Sequence, residues 1–241
     1  MMRALALSTA WVLGGAAVFA ALYWGFINTP ESTIFMLGLS LLLVIGMGVV
    51  LGVTWIGALD GWSRGFSGGT PRRALGGVPA FLPAAAFVLV VWWLVGRGLG
   101  WLDARSGEIG AWSIVSFNWS DVRPLLRGVH YAGDWLRLVV APFAALVWLG
   151  ETLSGGWRTR VERKWLRRAF SPTRLVLATV VVGVLILAPL HYGLYWVPAG
   201  LPPTWVEPAF ALGKAAVFAL AGAVGLSLVS RLAAPVPPRG Y

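Results

Sequence analysis

The chain has no cysteine. That one absence removes disulfide frameworks, thiolate metal sites, iron–sulfur clusters and a thiol nucleophile together. Acid is scarce too, with nine Asp and Glu against nineteen Lys and Arg, and charged residues make up only 12% of the chain. So few polar groups cannot cover a water-soluble globule. Histidine occurs twice, at His130 and His191, and no HExxH is present, which leaves a poor inventory for zinc. No GxxxxGK[ST] follows a strand, so a nucleotide-binding P-loop is excluded.

What the chain has in quantity is apolar run. It is 58% hydrophobic with a mean hydropathy of +0.78, and its runs reach the roughly 20 residues that cross hydrocarbon. The predicted fold class is all-α, a polytopic integral membrane protein forming one transmembrane domain over 1–241. Six transmembrane helices are expected at about 4–27, 33–59, 78–95, 135–153, 175–195 and 208–232. The first run is too long for a signal-peptide core and continues into Tyr23 and Trp24, so it is expected to be a retained span. Pro79 and Pro83 fall in the first turns expected of span three, where a missing amide donor costs least. Pro142 falls inside span four and should kink it, freeing a carbonyl near Leu138.

The stretch 157–174, WRTRVERKWLRRAFSPTR, holds seven of the nineteen basic residues against the single acid Glu162. Lying between apolar runs, it reads as a cytoplasmic loop. Val161, Trp165, Ala169 and Phe170 recur at helical spacing among Arg160, Arg163, Lys164, Arg167 and Arg168. That is the pattern of a basic amphipathic helix lying in the headgroup plane, favoured here over docking to an acidic partner. The net charge of +10 accordingly points to orientation and anionic lipid, with no nucleic acid expected.

A cytoplasmic amino terminus puts Arg3, Arg64, Arg72, Arg73, those seven, Arg231 and Arg239 inside. Arg97, Arg105, Arg123, Arg127 and Arg137 then lie outside, and Lys214 falls within span six. The imbalance predicts both termini in the cytoplasm. Arg in excess of Lys, with fifteen Trp, suggests a bacterial source and hence the inner membrane. The region 98–134, with Trp101, Trp112, Phe117 and Trp119 among polar residues, is expected as an amphipathic layer on the outer surface. Residues 60–77, with GFSGGTP, are expected as a basic inner loop.

Converging polar groups are few. Lys214 is the clear intramembrane charge, with Glu207 seven residues earlier on about the same face. An ion pair or snorkelling stem is favoured over binding of an anionic ligand or lipid. His130 lies in the surface region and His191 near a span end, depths that disfavour axial ligation of haem or another tetrapyrrole, so no cofactor is expected. Gly48 and Gly52 form a GxxxG pattern that lets helix backbones approach closely, within the chain in preference to across a dimer.

Gly65-Phe66-Ser67-Gly68 matches the GxSG signature of rhomboid intramembrane proteases, whose core also has six spans. The resemblance covers four residues. Ser67 falls in a loop with neither histidine placed to face it, and a nucleophile without a base in reach is only a serine. Six spans in this length also resemble the membrane half of bacterial exporters driven by a separate ATPase, on span count alone. The expected function is a non-catalytic membrane subunit or scaffold packing against protein partners and lipids. The alternatives are such a permease, and a lipid-headgroup enzyme using Asp121, Arg123, Arg127, His130 and Asp134 on the outer face.

Overall fold

The structure, a computed structural model, describes residues 1–30, 33–117, 121–155, 164–193 and 206–235, and of residues 164, 192, 193, 206 and 207 the backbone alone. The described residues are helical, with no strand among them. The helices are α1 (Met2–Ile27), α2 (Ile34–Arg64), α3 (Thr70–Ala104), α4 (Ser106–Phe117), α5 (Arg123–Trp135), α6 (Ala141–Gly155), α7 (Lys164–Ala169), α8 (Pro172–Val182) and α9 (Val206–Ala233). Six stretches are long and apolar enough to cross a membrane: Met2–Ile27, Ile34–Arg64, Thr70–Ala104, Arg123–Gly155, Pro172–His191 and Pro208–Ala233. The protein is an all-α polytopic membrane protein.

Several spans are longer than the sequence predicts. Residues 60–77 are not a loop: α2 runs on to Arg64, α3 begins at Thr70, and the break is the short turn between them. Gly65, at φ +84°, ends α2 in a conformation that only glycine adopts without strain. Thr70 then takes the Ser67 amide on its hydroxyl at 3.1 Å, and Pro71 occupies a position in the first turn where no donor is missed. The glycines of this segment sit in a helix because Ala74 and Gly77 are buried against the bundle, where small size decides. Pro79 and Pro83 therefore lie inside α3 instead of in its first turns.

Span four likewise begins at Arg123, so His130 and Asp134 sit on its helical extension. Between α5 and α6 the backbone widens into a π turn at Leu136–Val140, in which the Ala141 amide reaches Leu136 O. The turn adjoins Pro142, whose missing N–H leaves the Leu138 carbonyl without its usual partner; widening is how the helix absorbs it. Pro189 does the same in span five, where one π turn, Gly183–Leu187, precedes it and it begins a second, Pro189–Gly193.

The core gathers on α6. Buried residues make up 61% of the most apolar stretch of its span, against 6 to 22% for the other five. Val139, Phe143, Leu146, Val147 and Leu149 meet Ile56 and Leu59 of α2, Phe81 and Ala84 of α3, Val182 of α8 and Val229 of α9. Lipid tails are as apolar as these side chains, so the bundle is held by packing and by close backbone approach rather than by exclusion of water. Several side-chain hydroxyls are absorbed by carbonyls one turn back, as for Thr54 on Val50 O at 2.7 Å and Thr152 on Trp148 O at 2.9 Å.

Glycine sets the tightest crossings. Between α1 and α2 the Trp11 indole lies where a Cβ on Gly57 would be, and its Nε1 donates to Thr54 O at 3.0 Å. Gly15 gives the same room to Thr54. The Gly48 and Gly52 pattern is divided: Gly52 receives the Phe81 ring of α3, whereas a Cβ on Gly48 would meet nothing within 4 Å.

Candidate functional site: a charged cavity at one end of the bundle

The turn at 65–69 folds the last turn of α2 against the first turn of α3, which brings Asp60 and Arg73 together. Arg73 donates to Asp60 Oδ2 from Nε at 2.8 Å, with Nη2 at 2.7 Å from the same oxygen. Its Nη2 also donates to the hydroxyls of Ser67 at 3.2 Å and Thr70 at 3.1 Å. Asp60 is only 9% exposed, and a carboxylate that deep is tolerated because a guanidinium meets it.

A second pair closes the opposite wall. Glu151, in the last turns of α6, is paired with Arg168 of α7. Arg168 Nη2 donates to Ala234 O at 2.8 Å, just past the end of α9. One guanidinium thus ties three elements. Burial, and after it the neighbouring Arg174, push the Arg168 pKa below its ordinary value, yet a guanidinium remains charged at any neutral pH. Arg64, on the turn after Asp60, lies 3.6 Å from Asp60 Oδ1 and donates weakly to Leu153 O at 3.4 Å.

These groups surround a cavity of about 620 Å³. Ile56, Leu59, Leu153 and Pro235 supply apolar wall, and Gly76, Gly77 and Gly150 supply wall without side chains. Of the predicted site residues whose side chains are described, Arg168 alone belongs to it. Asp60, Arg73 and Glu151 were missed in the sequence because Asp60 and Arg73 read as parts of a basic loop and Glu151 as the end of a span. The one available signal was carboxylates placed at the boundary of apolar runs.

The other predicted residues are scattered. Trp165 packs against the core from α7 and Arg167 is exposed. Arg160 and Arg163 lie outside the described residues, as do the Lys164 and Glu207 side chains. Of the predicted basic helix 157–174, residues 164–174 are described and do not form one helix: α7 ends at Ala169, and Arg174 belongs to α8 and span five. Lys214 is half-buried with Nζ 5.8 Å from the Phe210 ring centre.

At the far end His130 is paired with Asp103 at 2.8 Å, joining α5 to α3, and His191 is exposed on the last π turn of span five. Arg123 pairs with Asp121 and Arg137 with Asp134. Asp121, Arg123, His130 and Asp134, four of the five candidates for headgroup chemistry, are thus engaged in separate pairs. Among the described residues no three His, Asp or Glu side chains are grouped to hold a metal ion. Ser67 meets Arg73 at the end of the bundle opposite both histidines, so the GxSG match brings no base to the hydroxyl.

Comparison with known proteins finds no matching family model, no matching curated protein and no matching solved structure.

Proposed function

We propose that the chain is a non-catalytic integral membrane subunit of a larger complex, packing laterally against protein partners and lipid. In this reading it lies in a bacterial inner membrane, with the end that carries Asp60, Arg73, Glu151 and Arg168 in the cytoplasm. The observation that carries the proposal is the character of the central span. From Val139 to Leu149 it is enclosed by apolar side chains of α2, α3, α8 and α9, whereas a conduit for polar solutes needs polar groups along its middle. Asp134 pairs with Arg137 inside span four, whereas the pairs that join different helices, Asp60–Arg73, Glu151–Arg168 and Asp103–His130, sit near the ends of the spans. There they fasten helices to one another, which suits a scaffold.

The test is extraction in a mild detergent, followed by the mass of the particle and identification of its proteins. The expected result is a particle heavier than one 25.8 kDa chain with other membrane proteins in fixed ratio. A particle containing this chain alone overturns the proposal and moves the permease reading to the front.

A further inference from the structure

The cavity between α2, α3, α6 and α7 has a chemistry that lateral assembly does not use. Three guanidiniums face it, from Arg64, Arg73 and Arg168, against the two carboxylates of Asp60 and Glu151. Each carboxylate already has its cation. A guanidinium, however, carries more N–H donors than one carboxylate can take, so donor capacity remains on the cationic side. Arg64 retains most of it. Its contacts at 3.4 and 3.6 Å are long for charge-assisted hydrogen bonds, and its side chain is 54% exposed.

Size and position narrow the ligand. About 620 Å³ falls in the range of roughly 300–1,000 Å³ typical of small-molecule sites. The cavity lies where α2 and α6 end and α3 begins, and α3 at about 1.5 Å per residue is longer than the roughly 30 Å hydrocarbon layer. That places the charges at headgroup depth, with Ile56, Leu59 and Leu153 beside them. Among the described lining residues the three guanidiniums exceed the two carboxylates by one positive charge, which matches a phosphodiester monoanion. A phosphomonoester, closer to a dianion at neutral pH, would have to displace a carboxylate from its arginine.

We propose that this cavity binds a phosphate-bearing anion through Arg64, and that its source is the phosphodiester headgroup of an anionic phospholipid. The binding does not depend on the subunit reading, since a chain that purifies alone retains the same cavity.

The test is native mass spectrometry of the detergent-purified protein with phosphatidylglycerol or phosphatidylcholine carrying identical acyl chains. Both lipids carry the phosphodiester, but the choline cation of phosphatidylcholine cancels its charge and is repelled by the excess guanidinium; retention of phosphatidylglycerol is expected to exceed that of phosphatidylcholine by about tenfold, the scale of one screened charge–charge contact. Arg64→Gln should abolish the difference, whereas Arg167→Gln, an exposed position on α7 outside the cavity lining, should preserve it. Gly76→Leu provides a second variant that touches no charge: its added Cβ meets nothing within 4 Å, and its side chain should lower retention by narrowing the cavity. Displacement of the lipid by inorganic phosphate supports the same chemistry with a free anion as the source; lack of displacement supports the lipid. Equal retention of the two lipids, or a preference that survives both Arg64→Gln and Gly76→Leu, overturns the proposal.

Discussion

Asp60 shows how a single side chain is tolerated at the edge of an apolar bundle. It is nearly buried, its main partner is Arg73, and the supporting hydroxyls of Ser67 and Thr70 hold that arginine in place. Removing one member of such a pair leaves the other charged and poorly solvated, which costs more than the pair contributes when intact. Arg73→Ala should therefore lower stability by about 2–3 kcal/mol, measured by equilibrium unfolding in mixed micelles, with the figure reduced from that of a fully buried pair because the arginine is partly exposed. Asp60→Asn in the same background should recover part of the loss; purely additive effects would show that the two side chains do not interact. None of this could be read from the sequence. Asp60 and Arg73 are thirteen residues apart, and what joins them is the positive φ at Gly65, which a sequence permits without requiring.

At the scale of the helix, proline and glycine carry the information that hydropathy lacks. The expectation of a disturbance at Pro142 is met by the π turn at Leu136–Val140, because a missing amide has the same consequence in any surroundings. GxxxG proved less transferable, since a small residue permits a close crossing but does not choose its partner. Gly52 is used against Phe81, Gly48 is not, and the tight contact of α1 falls on Gly57, outside that GxxxG pair. Gly57→Leu should drive α1 away from α2 and destabilise the protein, whereas Gly48→Leu should leave thermal stability in detergent nearly unchanged. If Gly48 instead marked a dimer face, Gly48→Leu would shift the particle to lower mass on size-exclusion chromatography.

For the whole molecule, orientation is the property most exposed to experiment, and the lack of cysteine makes it accessible. Gly68→Cys and Gly107→Cys place single thiols in exposed positions at the two ends of α3. With both termini in the cytoplasm, a membrane-impermeant maleimide added to intact cells should label position 107 and spare position 68; inverted vesicles should reverse the pattern. Labelling of position 68 in intact cells would invert the assignment of the charged cavity to the cytoplasm.

The sequence alone determined that the chain is an all-α membrane protein with six spans, because the apolar content of each run is a local sum and a helix satisfies its backbone within itself. It also marked the disturbance of span four, through Pro142. Tertiary structure decided which span is central. α1, α2, α3, α6, α8 and α9 show no pronounced polar face, so hydropathy cannot distinguish a helix surrounded by lipid from one surrounded by other helices; packing alone encloses Val139 to Leu149. It also decided which charges meet. The pairing of Asp60 with Arg73, and of Glu151 with Arg168, depends on the rotation and length of four helices, and no short stretch of sequence contains that information.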